Sequence, residues 1–203
     1  MQKVILGLML ILNVSCSLDP TPVDKATKDA KHAVVFDIDG TLTPNNLSIY
    51  TARCDAAQVV SQYAGRGYKI IYLSARNRYF QFNIPAFLRD NGFPKGSIHV
   101  PQSGADRDDF AAFKLSILKR YVNNGWKLSA AYGDSTTDFN AYIDAGINKN
   151  NIYGLKRAGE KHCETGQWTR CLDSWSTLLN SRVLQKRLKT NVSKIEDCNT
   201  PQY

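Results

Sequence analysis

Short apolar runs alternate with helix-spaced stretches along most of this 203-residue chain, and that alternation restricts the fold more than any other feature. Residues 33–36 form the first run, residues 47–64 follow with helical spacing, and Gly65 and Gly67 punctuate them before a second run at 69–73. Together these read as a βαβ unit. Residues 97–100 predict a short strand, 109–122 a helix, 128–132 a strand, 138–145 a helix and 152–153 an edge strand. Pro85 either opens a helix at its first turn or kinks one. Strands alternating with helices predict an α/β protein with a Rossmann-like, doubly wound parallel sheet.

A hydrophobic content of 43% over 203 residues suffices for one core, and residues 33–180 are the expected body. The ends differ in character. In residues 1–17, Lys3 precedes an apolar run at 4–12 that is too short to span a bilayer, followed by small or polar residues, which is the pattern of an export signal. Residues 18–32, with Pro20 and Pro22, read as a flexible tether. Cleavage before Cys16 would leave a lipidated cysteine, whereas cleavage after Ser17 would release a soluble product, so a periplasmic or secreted protein and an anchored lipoprotein both stay open.

Either route leaves Cys54, Cys163, Cys171 and Cys198, and an even count in an exported chain predicts two disulfides. Of the three pairings, Cys163 with Cys171 is favoured because it closes a short loop, leaving Cys54 to tie Cys198 to the body. A zinc site lacks the paired CxxC spacing it needs. The net charge of +8 is concentrated late, with Arg182, Lys186, Arg187, Lys189 and Lys194 in an expected terminal helix within residues 181–203. That helix is either a solvated face or a surface attracted to anionic lipid or another polyanion.

Four local patterns fall at strand ends. Asp37-Ile38-Asp39-Gly40-Thr41 closes the first apolar run; side chains two apart leave a strand on one side, so both carboxyls can face one small volume. A plain Asx turn is the simpler explanation, and a calcium loop fails because Gly40 is misplaced and the twelfth-position acid is missing. Ser74 directly follows the second run, where its hydroxyl and nearby N–H groups can hold a phosphoryl oxygen or simply cap the next element. Lys114 sits on a helix whose apolar side includes Phe110, Leu115 and Leu118, so its ammonium can be held in a crevice. In Gly133-Asp134-Ser135-Thr136-Thr137-Asp138, Ser135 and Asp138 form a capping box, which leaves Asp134 unexplained.

This order of motifs, DxDGT, strand-terminal Ser, helix Lys and GDxxxD, resembles the haloacid dehalogenase superfamily of phosphatases over residues 33 to about 152. Within it, Asp37-Ile-Asp-Gly-Thr-Leu-Thr, Tyr72-Leu-Ser-Ala-Arg76, Phe113-Lys114 and Ala130-Ala-Tyr-Gly133 are similar to the lipin and Nir-type domain. Lipins are phosphatidate phosphatases; the Nir-type relatives, attached to phosphatidylinositol transfer proteins, bind lipid without catalysis and lack the full acidic set present here. The chain also departs from lipins in being far shorter and carrying an export signal and cysteines.

The resemblance implies a magnesium-dependent phosphatase. Asp37 would be the nucleophile and Asp39 the acid and base, its proton affinity separated from that of Asp37 by the like-charge pair. Thr41, Ser74 and Lys114 would hold the phosphate; Asp37, the Asp39 carbonyl and Asp134 would hold Mg²⁺, with Asp138 either reaching the metal through water or orienting Lys114. The intervals 43–68 and 75–113 are too short for an inserted cap domain, which suits a bulky phosphomonoester such as a phosphatidate-like lipid at a membrane surface. A nucleotide or polynucleotide phosphatase and a non-catalytic phospholipid-binding module are the alternatives; nucleic acid is not an expected partner.

Overall fold

Six parallel strands carry the molecule in the order β3-β2-β1-β4-β5-β6. The structure is a computed structural model that describes residues 18–19 and 21–179. The strands are β1 (His32–Phe36), β2 (Lys69–Leu73), β3 (Ser97–His99), β4 (Lys127–Gly133), β5 (Ile152–Leu155) and β6 (Arg170–Leu172). Between and after them lie α1 (Ala56–Ala64), α2 (Ile84–Asp90), α3 (Gly104–Asp108), α4 (Phe110–Asn123), α5 (Thr136–Asp144) and α6 (Trp175–Leu179).

Strand β1 shows why both faces are covered. Its alternate residues Val34 and Phe36 join one buried cluster with α1, α2 and α6, while Ala33 and Val35 join a second with α4 and α5. A strand buried on both sides has to read as a continuous apolar run, and this one does. Phe36 stacks on Tyr132 with centroids 5.1 Å apart, and Tyr132 in turn stacks on Tyr153 at 5.0 Å. The chain winds outward from β1 through β2 to β3, then crosses back and winds the other way through β4. The switch point therefore lies between β1 and β4, where open α/β sheets bind ligands.

Several local expectations need correction. The helix read over 47–64 begins only at Ala56. Asn45 accepts hydrogen bonds from the backbone N–H groups of Leu47 and Ser48 at 2.8 and 3.0 Å, an Asx turn that diverts the chain. Asp55 then sits at φ 62° immediately before the helix. The apolar residues of that spacing, Leu47 and Tyr50, are consequently exposed. Strand β5 is not an edge, because β6 pairs with its residues Tyr153, Gly154 and Leu155. Pro85 does open a helix, α2.

Of residues 18–32, read as a tether, His32 belongs to β1, and the described residues among 18–31 contain no helix or strand but are bound to the body. Trp126 Nε1 donates to the Asp24 carbonyl at 2.8 Å, the Ala26 N–H to the Asn124 carbonyl at 2.9 Å, and the Thr21 hydroxyl to the Ile98 carbonyl at 2.8 Å. Val23, Ala26 and Ala30 also pack on the second cluster. Residues 1–17, read as an export signal and containing Cys16, the basic segment 181–203 and Cys198 lie outside the described residues. Cys163 and Cys171 are disulfide-bonded as expected. Among the described residues no domain is inserted between the elements, and no helix is long and apolar enough to cross a membrane.

Candidate active site

Parallel register delivers the acids to one place. Phe36 is level with Tyr72 on β2 and Tyr132 on β4, so the residues that follow, Asp37, Ser74 and Asp134, emerge at the same end of the sheet. The Asp37 N–H donates to the Tyr132 carbonyl at 3.0 Å, extending the ladder to the first acid of the DxDGT turn. Gly40 has φ 81°, and a Cβ there would come within 2.8 Å of Asp134 Cγ. The DxDGT turn therefore needs glycine both for its conformation and for the approach of the second acid. Trp175 Nε1 on α6 donates to the Thr41 carbonyl at 3.0 Å, and Arg53 donates to the Gly40 and Lys156 carbonyls at 3.1 and 2.9 Å. Distant parts of the chain thus fix the loop.

Lys114 reaches the site from α4, buried among Phe113, Ile117 and Leu118. Its ammonium donates to Asp37 Oδ1 at 2.8 Å and to Asp138 Oδ1. Burial pulls the ammonium toward neutrality, but Asp138 and Asp37 outweigh it and hold the charge. The Asp37 carboxyl is pushed well above the usual carboxylate range, chiefly by burial and then by Asp138, with Lys114 opposing. Asp37 Oδ2 is buried with no hydrogen-bond partner.

Asp138 caps α5 as the Ser135 box predicted: its Oδ2 accepts from the Ser135 hydroxyl at 2.6 Å and from the Asp134 and Ser135 N–H groups at 3.2 and 3.1 Å. With Lys114 on its other oxygen, it both closes the helix end and orients the lysine. Asp134 accepts from the Thr41 hydroxyl at 3.4 Å and from Arg157 Nε, and Arg157 Nη1 donates to Glu164 at 2.6 Å. Burial and Asp138 raise the Asp134 carboxyl to about 6 against the pull of Arg157 and Lys114.

Asp39 is held by Arg76. The guanidinium Nε and Nη2 donate to its Oδ1 at 2.9 and 2.6 Å, while the Ser74 hydroxyl donates to Oδ2 at 2.7 Å. Arg76 Nη1 reaches Asn83 Oδ1 at 2.7 Å, and Gln81 donates to the Arg76 carbonyl at 3.0 Å. The nearest charge to Asp39 is thus a cation where a like-charge carboxylate neighbour was expected. The Ser74 N–H is committed to the His99 carbonyl at 3.0 Å, so Ser74 orients Asp39 and Thr41 supports Asp134. Asp37, Asp39, Arg76, Lys114, Asp134 and Arg157 share one cavity of about 390 Å³.

Sequence reading brought out neither Arg76 nor Arg157 as a site residue. Arg76 stood within a quoted motif, and its position two residues after Ser74 was the available signal. Arg157 had none, since its partners Asp134 and Glu164 are 23 residues before it and 7 after it.

The three carboxylates Asp37, Asp134 and Asp138 bring one oxygen each within 4.8 Å of one another. An all-oxygen set containing an unpartnered buried carboxylate oxygen fits a hard divalent cation. Asp37 is the best placed ligand, because its Oδ2 is unpartnered, whereas both oxygens of Asp134 and of Asp138 already accept hydrogen bonds.

The sequence model described as the LNS2 domain of PITM 1-3 matches residues 34–156. Human membrane-associated phosphatidylinositol transfer protein 3 is 30% identical over 134 residues, covering 64% of this chain and 13% of that protein. The rat membrane-associated phosphatidylinositol transfer protein 1 is 30% identical over 136 residues, covering 64% and 10%. The chain thus corresponds to about a tenth of the length of these relatives. Among solved structures, phosphate-bound CbbY of Rhodobacter sphaeroides superposes with TM-score 0.51 at 13% identity, covering 76% of this chain and 98% of that one. The cobalt-bound deoxy-D-mannose-octulosonate 8-phosphate phosphatase of Haemophilus influenzae gives TM-score 0.50 at 13% identity, covering 79% and 90%. At such identities the likeness is one of fold, the haloacid dehalogenase-like core.

Proposed function

The chain belongs to the LNS2 domain family, and we propose that it is a magnesium-dependent phosphomonoester hydrolase working through an aspartyl-phosphate on Asp37. The observation that carries this reading is the unpartnered, buried Asp37 Oδ2 in a cluster of acids at the sheet's switch point, flanked by Lys114. A buried carboxylate oxygen without a partner carries a desolvation cost that a bound cation would offset.

Asp37, the Asp39 carbonyl and Asp134 would hold the cation, which when bound neutralises the crowded carboxylates and the incoming phosphate and so favours ionised Asp37. The Asp37 carboxylate forms a bond to phosphorus as the ester oxygen departs with a proton that Asp39 has first taken up from solvent. Asp39 then takes a proton from water, whose oxygen attacks phosphorus, releasing phosphate and restoring Asp37. Lys114 stays fixed between Asp37 and Asp138 and stabilises charge developing on the transferred oxygens. Arg76 holds the Asp39 carboxyl in position over the cavity. Arg157, bonded to Asp134, is placed to exchange that partner for a phosphate oxygen.

For the substrate we favour a phosphatidate-like lipid or another bulky phosphomonoester. No cap domain stands over the described site, and the matched relatives carry "membrane-associated" and "phosphatidylinositol transfer" in their names. Function outside the cytoplasm fits the Cys163–Cys171 bridge. The alternative of lipid binding without turnover draws on the same family match. The test compares phosphate release from phosphatidate vesicles, nucleotides and a chromogenic ester by wild type and Asp37→Asn, with and without Mg²⁺. Release that needs both Asp37 and Mg²⁺ is expected; no release from any substrate, with equal vesicle binding by both proteins, would remove the enzyme reading.

A further inference from the structure

The segment that holds Arg76 presents two opposite faces. In the 3-10 turn Arg78–Asn83, Gln81 and Asn83 are buried and bond inward to Arg76, while Tyr79, Phe80 and Phe82 are 58%, 49% and 59% exposed. Beside it runs the loop carrying Leu47 and Tyr50, 90% and 68% exposed, tied down where Asn83 Nδ2 donates to the Ile49 carbonyl at 3.2 Å. Leu47 and Phe80 line the same cavity as Asp37 and Asp39. Large apolar side chains are normally scattered singly over a surface; a cluster beside a cavity lined by charged residues is a docking feature.

We propose that this apolar rim is a surface for docking on a lipid bilayer, which seats the cavity mouth at the headgroup layer. It deepens the phosphatase reading and rests on it for the orientation of the site. Two observations favour a bilayer over a protein partner. Leu47 and Phe80 of the rim line the cavity in which the phosphatase reading seats a phosphate, so the matching ligand has an anionic phosphate beside an apolar surface, as a phospholipid surface does. The rim is also aromatic and edged with a cation: Arg78 lies 4.7 Å above the Tyr79 ring and bonds its hydroxyl at 3.0 Å. Amphipathic rings and arginine together suit the boundary between acyl chains and headgroups.

Tyr79→Ser/Phe82→Ser tests this without touching cavity-lining residues, since both side chains project into solvent. Sedimentation of the full chain with phosphatidylcholine vesicles, with and without phosphatidate, is measured beside Mg²⁺-dependent hydrolysis of a soluble chromogenic ester. The expected result is a fall of about tenfold or more in vesicle partitioning, with ester hydrolysis unchanged. Equal partitioning of wild type and variant would overturn the docking surface while leaving the phosphatase reading intact. A wild-type dimer in analytical ultracentrifugation that the double substitution dissolves would also overturn it, by assigning the rim to a second copy. Vesicle binding lost in the variant, without ester hydrolysis by either protein, would uphold docking and remove the catalytic reading.

Discussion

Arg76 and Asp39 form a forked ion pair at the cavity, with two guanidinium nitrogens within 2.9 Å of one carboxylate oxygen and both side chains largely withdrawn from solvent. The fork does what a lysine cannot, because a single ammonium has no planar pair of donors. Arg76→Lys is therefore expected to lower kcat by about 10- to 100-fold, within the range attributed to acid–base positioning, while the protein stays folded. Arg76→Ala should in addition cost about 3 kcal/mol of stability by leaving a nearly buried carboxylate unpaired. Steady-state kinetics and urea unfolding check the pair of outcomes.

Lys114 keeps Asp37 and Asp138 apart in charge. Lys114→Met leaves two buried acids facing each other and should destabilise the fold by about 3–5 kcal/mol. Adding Asp138→Asn to it should recover a substantial part, since one of the two uncompensated charges is gone. A double-mutant cycle by urea denaturation reads the coupling, and additive losses would show that Lys114 and Asp138 act separately.

Gly40→Ala should abolish turnover more severely than it unfolds the protein. The positive φ costs about 1–2 kcal/mol for an alanine, and the added Cβ displaces the Asp134 carboxylate it would meet. Thermal unfolding shows the modest loss, and calorimetric titration with Mg²⁺ shows the displaced ligand as a weaker affinity for the metal.

His99 gives the pH dependence of stability a defined window. Burial, with Arg120 and Lys69 adding to it, lowers the imidazole from 6.5 to about 4, and its Nε2 pairs with the Tyr121 hydroxyl at 2.8 Å. The unfolded chain binds a proton on this residue between those two values and the folded chain does not, so stability rises with pH across that interval. Acidification from pH 6.5 to 4 should remove about 3 kcal/mol through His99 alone, and His99→Gln should flatten the slope of unfolding free energy in this range.

The sheet and the main acids were legible because the chain announces them locally. A strand buried on both faces must be apolar throughout, so β1, β2 and β4 stood out, and parallel register then placed Asp37, Ser74 and Asp134 at one end. Asp138 was legible as a cap through Ser135. What escaped was set by contacts distant in sequence. The Arg157 contacts to Asp134 and Glu164 depend on how a disulfide-tied loop folds back, and β6, Arg-Cys-Leu, is too short to show a period. The misread helix start at residue 47 shows the opposite failure: Leu47 and Tyr50 have helical spacing, yet the Asx turn at Asn45 removes them from the core and leaves them beside the cavity.

The most direct test of the central claim is covalent. Wild-type protein mixed with substrate and Mg²⁺, quenched in acid within a turnover and analysed by peptide mass spectrometry, should carry a phosphoryl group on the peptide containing Asp37, and Asp37→Asn should carry none and release no phosphate. Phosphate release by Asp37→Asn at the wild-type rate, or a phosphoryl group found on another residue, would contradict the account.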